Sequence, residues 1–328
     1  MRAMAVELSD DPTVFLARDW TDLVLSDPCG SFFHTPSYLK LWWEEFGTGA
    51  LLLAFVREED RTIAVCCFEL VGDALRFLGG FDVTDYMGPV GSPGVVERAA
   101  NDLVAALASE VPWDRADFRG LPLDSPWHGA LWSAAGRERM HVEVGEDGAA
   151  PLIALPESHD AYLAGLSSKL RHEMSRKERR LVQEAGPYRI HMSTPESFPA
   201  DMTTFIELHR SSPGPKGRFM HAGMEIFFRR LGEAFLPQHV FHLAFIEVGG
   251  EKAAGAIGFA FRNTFSLYNS AFDRAFAHLS PGMVLVGELI RRAIEQRWDR
   301  FDLLKGDFEY KYRFGAVPRP VGRLVLRR

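Results

Sequence analysis

The stretch that decides the fold covers residues 253–314 and reads AAGAIGFAFRNTFSLYNSAFDRAFAHLSPGMVLVGELIRRAIEQRWDRFDLLKGDFEYKYRF. It predicts two β-strands, a loop that ends in Ser-Pro-Gly, an amphipathic helix over 280–297 and a short strand over 300–304. With Ser280 as N-cap, the amides of Gly282, Met283 and Val284 are expected to point into empty space. Free amides and the helix dipole form an anion site, which predicts an enzyme that handles a phosphate-bearing donor.

Polar side chains return directly after the short buried strand, as Asp302, Lys305, Asp307, Tyr310 and Lys311. In open α/β sheets, ligands bind at the carboxyl ends of the strands. The sequence therefore predicts that this segment lies at the same site as the helix start.

Length and composition predict a soluble protein of two domains. The chain has 328 residues, of which 47% are hydrophobic and 25% are charged. No run reaches the roughly 18 apolar residues that a membrane span needs. Acidic residues interrupt the apolar residues near the N-terminus, which is untypical of a secretory signal. We expect a cytoplasmic protein.

The cysteines and the charge balance exclude other classes. Cys29, Cys66 and Cys67 show neither a disulfide framework nor metal-ligand spacing, so no metal is expected. A net charge of −7 gives no global field that would attract DNA. Positive charge is concentrated in KLRHEMSRKERR (169–180), which is either a solvated helix face or a patch that binds a polyanion.

Each half of the chain predicts the same order of elements: helix, antiparallel strands, helix, strand. This order predicts an α/β fold with a structural duplication, divided near Gly148 into domains 1–148 and 149–328. Between the halves we expect a strand pair near 138–155, followed by a continuous helix from about 157 to 186. A Pro/Gly-rich loop covers 211–217.

The motifs of the second half together resemble a known family. The segment from Ala271 to Gly282 and the segment from Phe301 to Lys311 resemble the paired signatures G-F-D-x-x-F-x-x-x-S-P-G and F-D-x-x-x-G-D-x-x-Y-K. These are signatures of the GNAT-like acyltransferases of the CelD/BcsL type. Further elements of that family resemble four other stretches of this chain: LSSKLRHEMSRKERRL, FIELHR, GRFM and FLGGFDVTDYMGPV.

The resemblance implies tandem GNAT-like domains, each a mixed, mostly antiparallel sheet flanked by helices, as in the Fem-type aminoacyltransferases. It also implies transfer of an acyl group, usually from acyl-CoA, to an amine. One departure is that the usual pyrophosphate loop, Arg/Gln-x-x-Gly-x-Gly/Ala, is replaced by RAFAHLSPGM. Ser280, Gly282, Met283 and Val284 are therefore the residues expected to hold the donor's phosphates.

Attack of an amine on a thioester needs a proton acceptor, donors for the developing oxyanion and alignment of the substrates. The candidate acceptors are Asp302, Asp307 and His209; each carboxylate has a structural alternative, a salt bridge to Lys305 or Lys311. Tyr268 either orients substrate and donates to the leaving thiolate or fills the core. A backbone amide of the strand 265–272 is the expected oxyanion donor.

Substrate-binding candidates carry charge or a phenol. Lys311 is assigned to a phosphate or carboxylate, and Lys169 and Arg171 of the basic cluster to a polyanion. Tyr310, like Tyr268, either orients a substrate or donates to the leaving thiolate, or fills the core with its hydroxyl at the edge. Asp85 and Tyr86 either line the cleft that binds the acceptor or form a simple turn.

Three functions follow from this sequence. The first is acyl-CoA-dependent transfer to a small or polymer-linked amine. The second is aminoacyl-tRNA-dependent transfer, for which 169–180 would contact phosphates; the long helical arm of Fem-type enzymes is not obvious in this sequence, which favours the first. The third is a non-catalytic module that serves polysaccharide production.

Overall fold

The computed structural model describes residues 4–328. The chain divides into two compact units. Unit 1 contains the chain up to Ala149 together with Arg319–Arg328, and unit 2 contains Ala150–Pro318. The last ten residues thus return to the unit in which the chain begins.

The first part of the chain alternates short helices with strands. In chain order the elements are β1 (Met4–Ser9), α1 (Val14–Ala17), α2 (Thr21–Ser26), a 3₁₀ turn (Phe32–His34), α3 (Pro36–Phe46), β2 (Ala50–Glu58), β3 (Arg61–Val71), β4 (Ala74–Phe77), β5 (Val90–Gly91), α4 (Val96–Glu110), β6 (Arg115–Pro122), α5 (Pro126–Arg137) and β7 (His141–Ala154).

The second part repeats this alternation. Its elements are α6 (His159–Gly165), α7 (Ser168–Ala185), β8 (Tyr188–Met192), α8 (Phe198–Arg210), α9 (Pro215–Phe219), α10 (Ala222–Phe235), β9 (Phe241–Val248), β10 (Glu251–Phe261), β11 (Thr264–Phe272), a 3₁₀ segment (Arg274–Leu279), α11 (Pro281–Glu295), β12 (Arg300–Asp302), α12 (Glu309–Tyr312) and β13 (Val317–Arg327).

The strands have the same order in the two units. In unit 1 it is β13-β6-β4-β3-β2-β1, and in unit 2 it is β7-β12-β11-β10-β9-β8. In each unit one neighbouring pair is parallel, β4 with β6 and β11 with β12, and the other pairs are antiparallel. The mixed α/β fold with mostly antiparallel sheets flanked by helices is confirmed.

Each sheet is packed against helices by its own apolar cluster. In unit 1 the apolar faces of α4 and α5 pack with buried residues of β2, β3 and β6. In unit 2 the apolar face of α11 packs with Phe265, Leu267 and Phe301. Periodic apolar residues at helical spacing made these helices predictable from sequence.

Three sequence expectations about elements were wrong. The helix expected over 157–186 is two helices, because Leu166 is extended and Ser167 caps α7 by accepting the Leu170 N–H at 3.3 Å. The strand pair expected near 138–155 is the single strand β7. The loop 211–217 includes the start of α9, which begins with a proline at its first turn.

The cysteines are free thiols. Cys66 and Cys67 are buried in β3, where burial raises the pKa of both, and Cys29 is half-buried. Thiols held protonated by burial make poor nucleophiles.

Candidate functional site

Strands β11 and β12 lie side by side over a short distance and then separate. Their pairing runs from Thr264 with Arg300 to Ser266 with Asp302. Beyond Ser266, β11 continues to Phe272 bonded to β10 on its other side. In the described part of the chain, no strand pairs with the opposite edge of β11 over 267–272. Strand pairing with β12 thus ends before this part of β11.

A β-bulge lies within this separated part of β11. Ile257 of β10 pairs with Asn269, whereas the next residue, Gly258, pairs with Leu267. Tyr268 is therefore the extra residue of the bulge. Bulges re-aim side chains and backbone groups, and here the extra residue is the predicted site tyrosine.

The Tyr268 ring has an aromatic environment. It packs edge-on against Phe228 of α10 and Phe259 of β10, with a distance of 5.5 Å between ring centroids in each pair. Edge-to-face packing of this kind holds the ring in one orientation. The Tyr268 side chain packs against core aromatics and belongs to the strand segment that β12 does not pair with. Filling the core and orienting a substrate are therefore compatible at this position.

His209 lies in the last turn of α8 and is 1% exposed. Its Nε2 is 3.0 Å from Oδ1 of Asn269, and the same oxygen accepts the Ser270 N–H at 2.9 Å. Because Oδ1 is the acceptor in both bonds, Nε2 of His209 carries the proton. Nδ1 of the neutral ring is then bare, and within residues 4–328 this buried atom has no hydrogen-bond partner.

The surroundings of His209 keep the ring neutral. The pKa of His209 is lowered to about 4, first by burial and then by the positive charge of Lys216, against a smaller raising effect of the bond to Asn269. The ring packs near Phe205 and Phe219, with ring centroids 6.0 and 5.9 Å apart. At pH 7 the site therefore offers an uncharged imidazole beside the bulge.

The start of α11 differs from the expected cap. Ser280 adopts a left-handed conformation with φ 55°, and its side chain makes no capping hydrogen bond. The N–H groups of Met283 and Val284 donate to the Ser280 carbonyl at 3.0 and 3.4 Å. The expectation of three free amides was thus wrong for these two, since the first turn closes on Ser280. Gly282 faces open space, because a Cβ placed there meets no atom within 4 Å.

A lysine from the basic helix reaches this helix start. Nζ of Lys177 is 3.2 Å from Oγ of Ser280 and 3.7 Å from the Glu173 carboxylate. A cleft of about 90 Å³ lies between α7 and α11, with Met283 and Val284 in its lining. Lys177 thus places one positive charge next to the N-terminal end of α11, and the lining of the cleft also includes the carboxylates of Glu178 and Glu288.

Asp302 and Lys311 occupy the turn that follows β12. Asp302 is 4% exposed and accepts the Leu304 N–H at 2.8 Å. Lys311 is also 4% exposed, and its Nζ donates to the carbonyls of Leu304 and Lys305 at 2.8 and 3.0 Å. These contacts favour a structural role in which the ammonium holds this turn, and the ligand-binding role of Lys311 stays a prediction.

Asp307 and Tyr310 differ in their burial and in their contacts. Asp307 is exposed and accepts a hydrogen bond from the Tyr312 hydroxyl. Tyr310 is half-buried, its ring is stacked near that of Phe308, and burial raises its pKa. A raised pKa keeps the phenol protonated, so Tyr310 can donate a hydrogen bond but not accept a proton.

The basic cluster of α7 exposes one face. Lys169, His172, Arg176 and Arg179 are exposed and recur at helical spacing. Arg171 belongs to another face, where its Nη1 donates to the carbonyls at 163 and 166 at 2.9 and 3.3 Å. Lys169 is therefore placed where a polyanion could contact it, whereas Arg171 holds the end of α6.

Asp85 and Tyr86 belong to unit 1. Tyr86 is 3% exposed, and the guanidinium of Arg319 lies 5.2 Å from its ring centroid. Asp85 is half-buried just before it. These contacts favour the alternative in which the pair stabilises a turn, and an acceptor-binding role stays a prediction.

Two partners at the site were not singled out by sequence reasoning. Asn269 is one, and its signal was available, since asparagine is depleted in strands. Lys177 is the other; it was grouped with the basic cluster, but its proximity to Ser280 depends on the packing of α7 on α11.

Neither a metal cluster nor a membrane helix is found in the described chain. Among residues 4–328, no three His, Cys, Asp or Glu side chains are grouped to hold a metal ion. No helix in that range is long and apolar enough to cross a bilayer.

Comparison with families of known proteins agrees with this geometry. Residues 168–312 match the model of a family described as an acetyltransferase (GNAT) domain. The match begins at α7 and ends in α12, and thus includes the bulge, His209 and the start of α11. No curated protein matches this chain.

Several solved structures share the fold over nearly the whole chain. FemX has a TM-score of 0.65 at 10% identity, with 96% of each chain covered. A Bacteroides thetaiotaomicron protein of unknown function has a TM-score of 0.63 at 13% identity, covering 98% of this chain and 100% of its own. The C-terminal domain of a putative lysylphosphatidylglycerol synthetase from Agrobacterium fabrum has a TM-score of 0.58 at 14% identity. The match covers 97% of this chain and 92% of that domain's chain. At these identities the likeness concerns the fold.

Proposed function

We propose that this chain is an N-acyltransferase of the CelD/BcsL type that transfers an acyl group from acyl-CoA to an amine, with the reaction in unit 2. The observation that carries the proposal is the separation of β11 from β12 after Ser266 and Asp302. It opens a strand edge that contains the Tyr268 bulge, next to a buried neutral histidine. The family match over 168–312 supports transferase chemistry for this unit.

The proposed donor site runs from the open edge of β11 to the start of α11. An extended part of the donor would lie along the edge of β11 over 267–272, on the side that β12 does not pair with. The donor's phosphates would lie at Gly282, where no Cβ limits approach, and near the ammonium of Lys177. In this assignment the phosphates bind the amide of Gly282 and the ammonium of Lys177, in place of the three amides that the sequence predicted.

The chemistry needs a neutral amine and a place for its proton. The amine nitrogen attacks the thioester carbonyl carbon, the C–S bond breaks, and the nitrogen loses one proton. We assign that proton first to Nδ1 of His209, which is bare and without a partner in the described chain, and then to the sulfur of the broken C–S bond, so that the thiol leaves and the ring returns to its neutral form. Asp307 is exposed, and Asp302 accepts a backbone N–H in the turn after β12, so each is a weaker candidate.

The electrostatic field near His209 also favours the uncharged form of the amine substrate. The positive charge of Lys216 that lowers the pKa of His209 disfavours an ammonium ion at the same place. An amine that enters there is driven toward its neutral, nucleophilic form. A backbone N–H of the bulge region is the proposed donor for the developing oxyanion.

Aminoacyl-tRNA is the second candidate donor, and one observation favours it. The exposed face of α7 that carries Lys169, His172, Arg176 and Arg179 is suited to a phosphate backbone. The same helix supplies Lys177 to the start of α11. A tRNA donor would therefore use both faces of α7, whereas acyl-CoA needs only the face that meets α11.

Calorimetric titration with acetyl-CoA and with charged tRNA distinguishes the two donors. We expect saturable binding of acetyl-CoA and release of free thiol in the presence of a panel of primary amines. Replacing Arg176 and Arg179 by Ala should leave acetyl-CoA binding unchanged. If these replacements instead weaken tRNA binding and reduce its salt dependence, and acetyl-CoA does not bind, tRNA is the donor. Absence of binding by either donor would favour the non-catalytic module.

A further inference from the structure

A second pocket lies in unit 2 at the other end of α11. It has a volume of about 330 Å³ and is lined by the C-terminal half of α11, the start of β9 and Trp298. Arg292 lies about 15 Å along the helix from Gly282, at the usual rise of about 1.5 Å per residue. The pocket is thus separate from the proposed donor site, and its volume is in the range of small-molecule sites.

The charge in this pocket is positive. Arg292 lines it, and in the described chain the buried Nε of Arg292 has no hydrogen-bond partner. None of the described residues that line the pocket is an aspartate or a glutamate. The neighbouring Arg291, by contrast, is paired with Glu288 and Glu295 on the outside of the helix. A buried guanidinium nitrogen without a partner lacks an anion or another acceptor.

The wall opposite the charge is aromatic. The Trp298 ring stacks on Phe265 with centroids 5.3 Å apart and planes at 10°. His242 packs edge-on against both rings, at 5.6 and 6.1 Å. Burial lowers the pKa of His242, against a smaller raising effect of the bond between its Nε2 and the His239 carbonyl at 2.9 Å, so this ring is neutral at pH 7. The pocket lining thus combines aromatic surface with one half-buried arginine whose Nε is buried.

We propose that this pocket binds a small aromatic carboxylate. The ring of such a ligand would lie against Trp298 and the apolar lining, and its carboxylate would accept hydrogen bonds from the Arg292 guanidinium. A planar fork of donors matches a carboxylate well, and aromatic contact orients the ring toward it. The proposal does not depend on the acyl-transfer function.

The test uses 2-naphthoate as the probe and 2-naphthalenemethanol as its neutral match, each titrated calorimetrically into the full chain. We expect 2-naphthoate to bind at least about tenfold more tightly than the alcohol, the scale of one charge-assisted hydrogen bond. Arg292→Gln should remove that difference, and Arg292→Lys should retain part of it. Arg291→Gln is the matched control, since it removes the same charge from the same helix outside the pocket.

Two outcomes would overturn the proposal. One is no saturable binding of 2-naphthoate by the parent protein at millimolar concentration. The other is equal affinity of the parent and Arg292→Gln, with circular dichroism showing that the variant is folded. A competition titration adds a check on location: 2-naphthoate should not displace acetyl-CoA, and displacement would assign the probe to the donor site instead.

Discussion

The two units share a strand order but differ just past their parallel strand pair. In unit 1, β4 ends at Phe77, whose ring stacks on Phe118 of the neighbouring strand at 4.3 Å. In unit 2, β11 continues past its last pair with β12 and carries Tyr268 and Asn269. The shared part builds the sheet, and the extension builds a site. The two units thus differ where a strand of unit 2 continues beyond its parallel partner, and this extension carries the proposed site.

The helices that follow these strands show the same contrast. A Ser-Pro-Gly sequence lies at each helix start: residues 92–94 precede α4, and residues 280–282 are the N-cap and the first two residues of α11. The first turn of α4 contains Glu97, whereas the first turn of α11 contains no acidic residue and Lys177 contacts Ser280. A carboxylate at a helix start repels an anion that a cation would attract. The α11 start therefore has a cation close to its N-terminus, whereas the α4 start has an acidic residue there.

The largest expected effect concerns the buried histidines, one in each unit. His209→Gln should reduce turnover about a hundredfold or more, because the bare Nδ1 is lost, while acetyl-CoA affinity is retained. His34 of unit 1 is also buried with its pKa lowered to about 4, but its Nδ1 contacts Ser31 at 2.9 Å. His34→Gln should therefore leave turnover per folded molecule unchanged. Full turnover of His209→Gln would remove that residue from the mechanism.

The next effect compares the two helix starts. Gly282→Val should weaken acetyl-CoA binding by about tenfold or more, since its side chain would fill the space assigned to a phosphate. Gly94→Val should leave that affinity unchanged and instead lower the free energy of unfolding by about 1–2 kcal/mol, because Gly94 has φ +82°. Calorimetry and chemical unfolding measure the two quantities. Equal acetyl-CoA affinity of Gly282→Val and the parent would place the donor elsewhere.

A smaller effect concerns two serines that precede helices. Ser125 of unit 1 accepts the Trp127 N–H at 3.3 Å, so Ser125→Ala should cost about 1 kcal/mol of stability. Ser280 makes no such bond, so Ser280→Ala should cost less than about 0.5 kcal/mol. Urea unfolding of both variants gives the comparison. A larger cost at Ser280 than at Ser125 would contradict the described helix start.

The pH dependence of stability should reflect both histidines. Each has a folded pKa of about 4, below the unfolded value of about 6.5. Between these values the unfolded chain binds more protons, so the free energy of unfolding should fall as the pH decreases from about 6.5 toward 4. The variants His34→Gln and His209→Gln should each reduce this slope in urea titrations at pH 7 and pH 4.5. An unchanged slope in either variant would show that the histidine concerned is not buried neutral.

The sequence predicted those parts of the fold that depend on local pattern. Alternating and helical apolar spacing predicted β10 to β12 and α11, and the family resemblance predicted the mixed sheets. The contact of His209 with Asn269 joins residues 60 positions apart in sequence, which no local pattern encodes. The left-handed conformation of Ser280 could not be predicted from the sequence either, because serine before proline and glycine is typical of an ordinary N-cap.

The buried ammonium of Lys311 shows the same limit. In sequence, a lysine next to a tyrosine after a buried strand is typical of a ligand site. Whether its charge faces a cleft or the carbonyls of its own turn depends on the path of 303–308, where Leu304 and Gly306 have positive φ. Side-chain direction at irregular turns is set by such backbone conformations and not by residue type.

The most direct test of the account is hydrogen–deuterium exchange of the full chain with and without saturating acetyl-CoA. The account predicts slower exchange in unit 2 over 267–272 and at the start of α11. It predicts no change at the end of β4 or the start of α4 in unit 1. Protection at the unit 1 positions, or none at 267–272 although acetyl-CoA binds, would contradict the claim that the separated strand of unit 2 is the donor site.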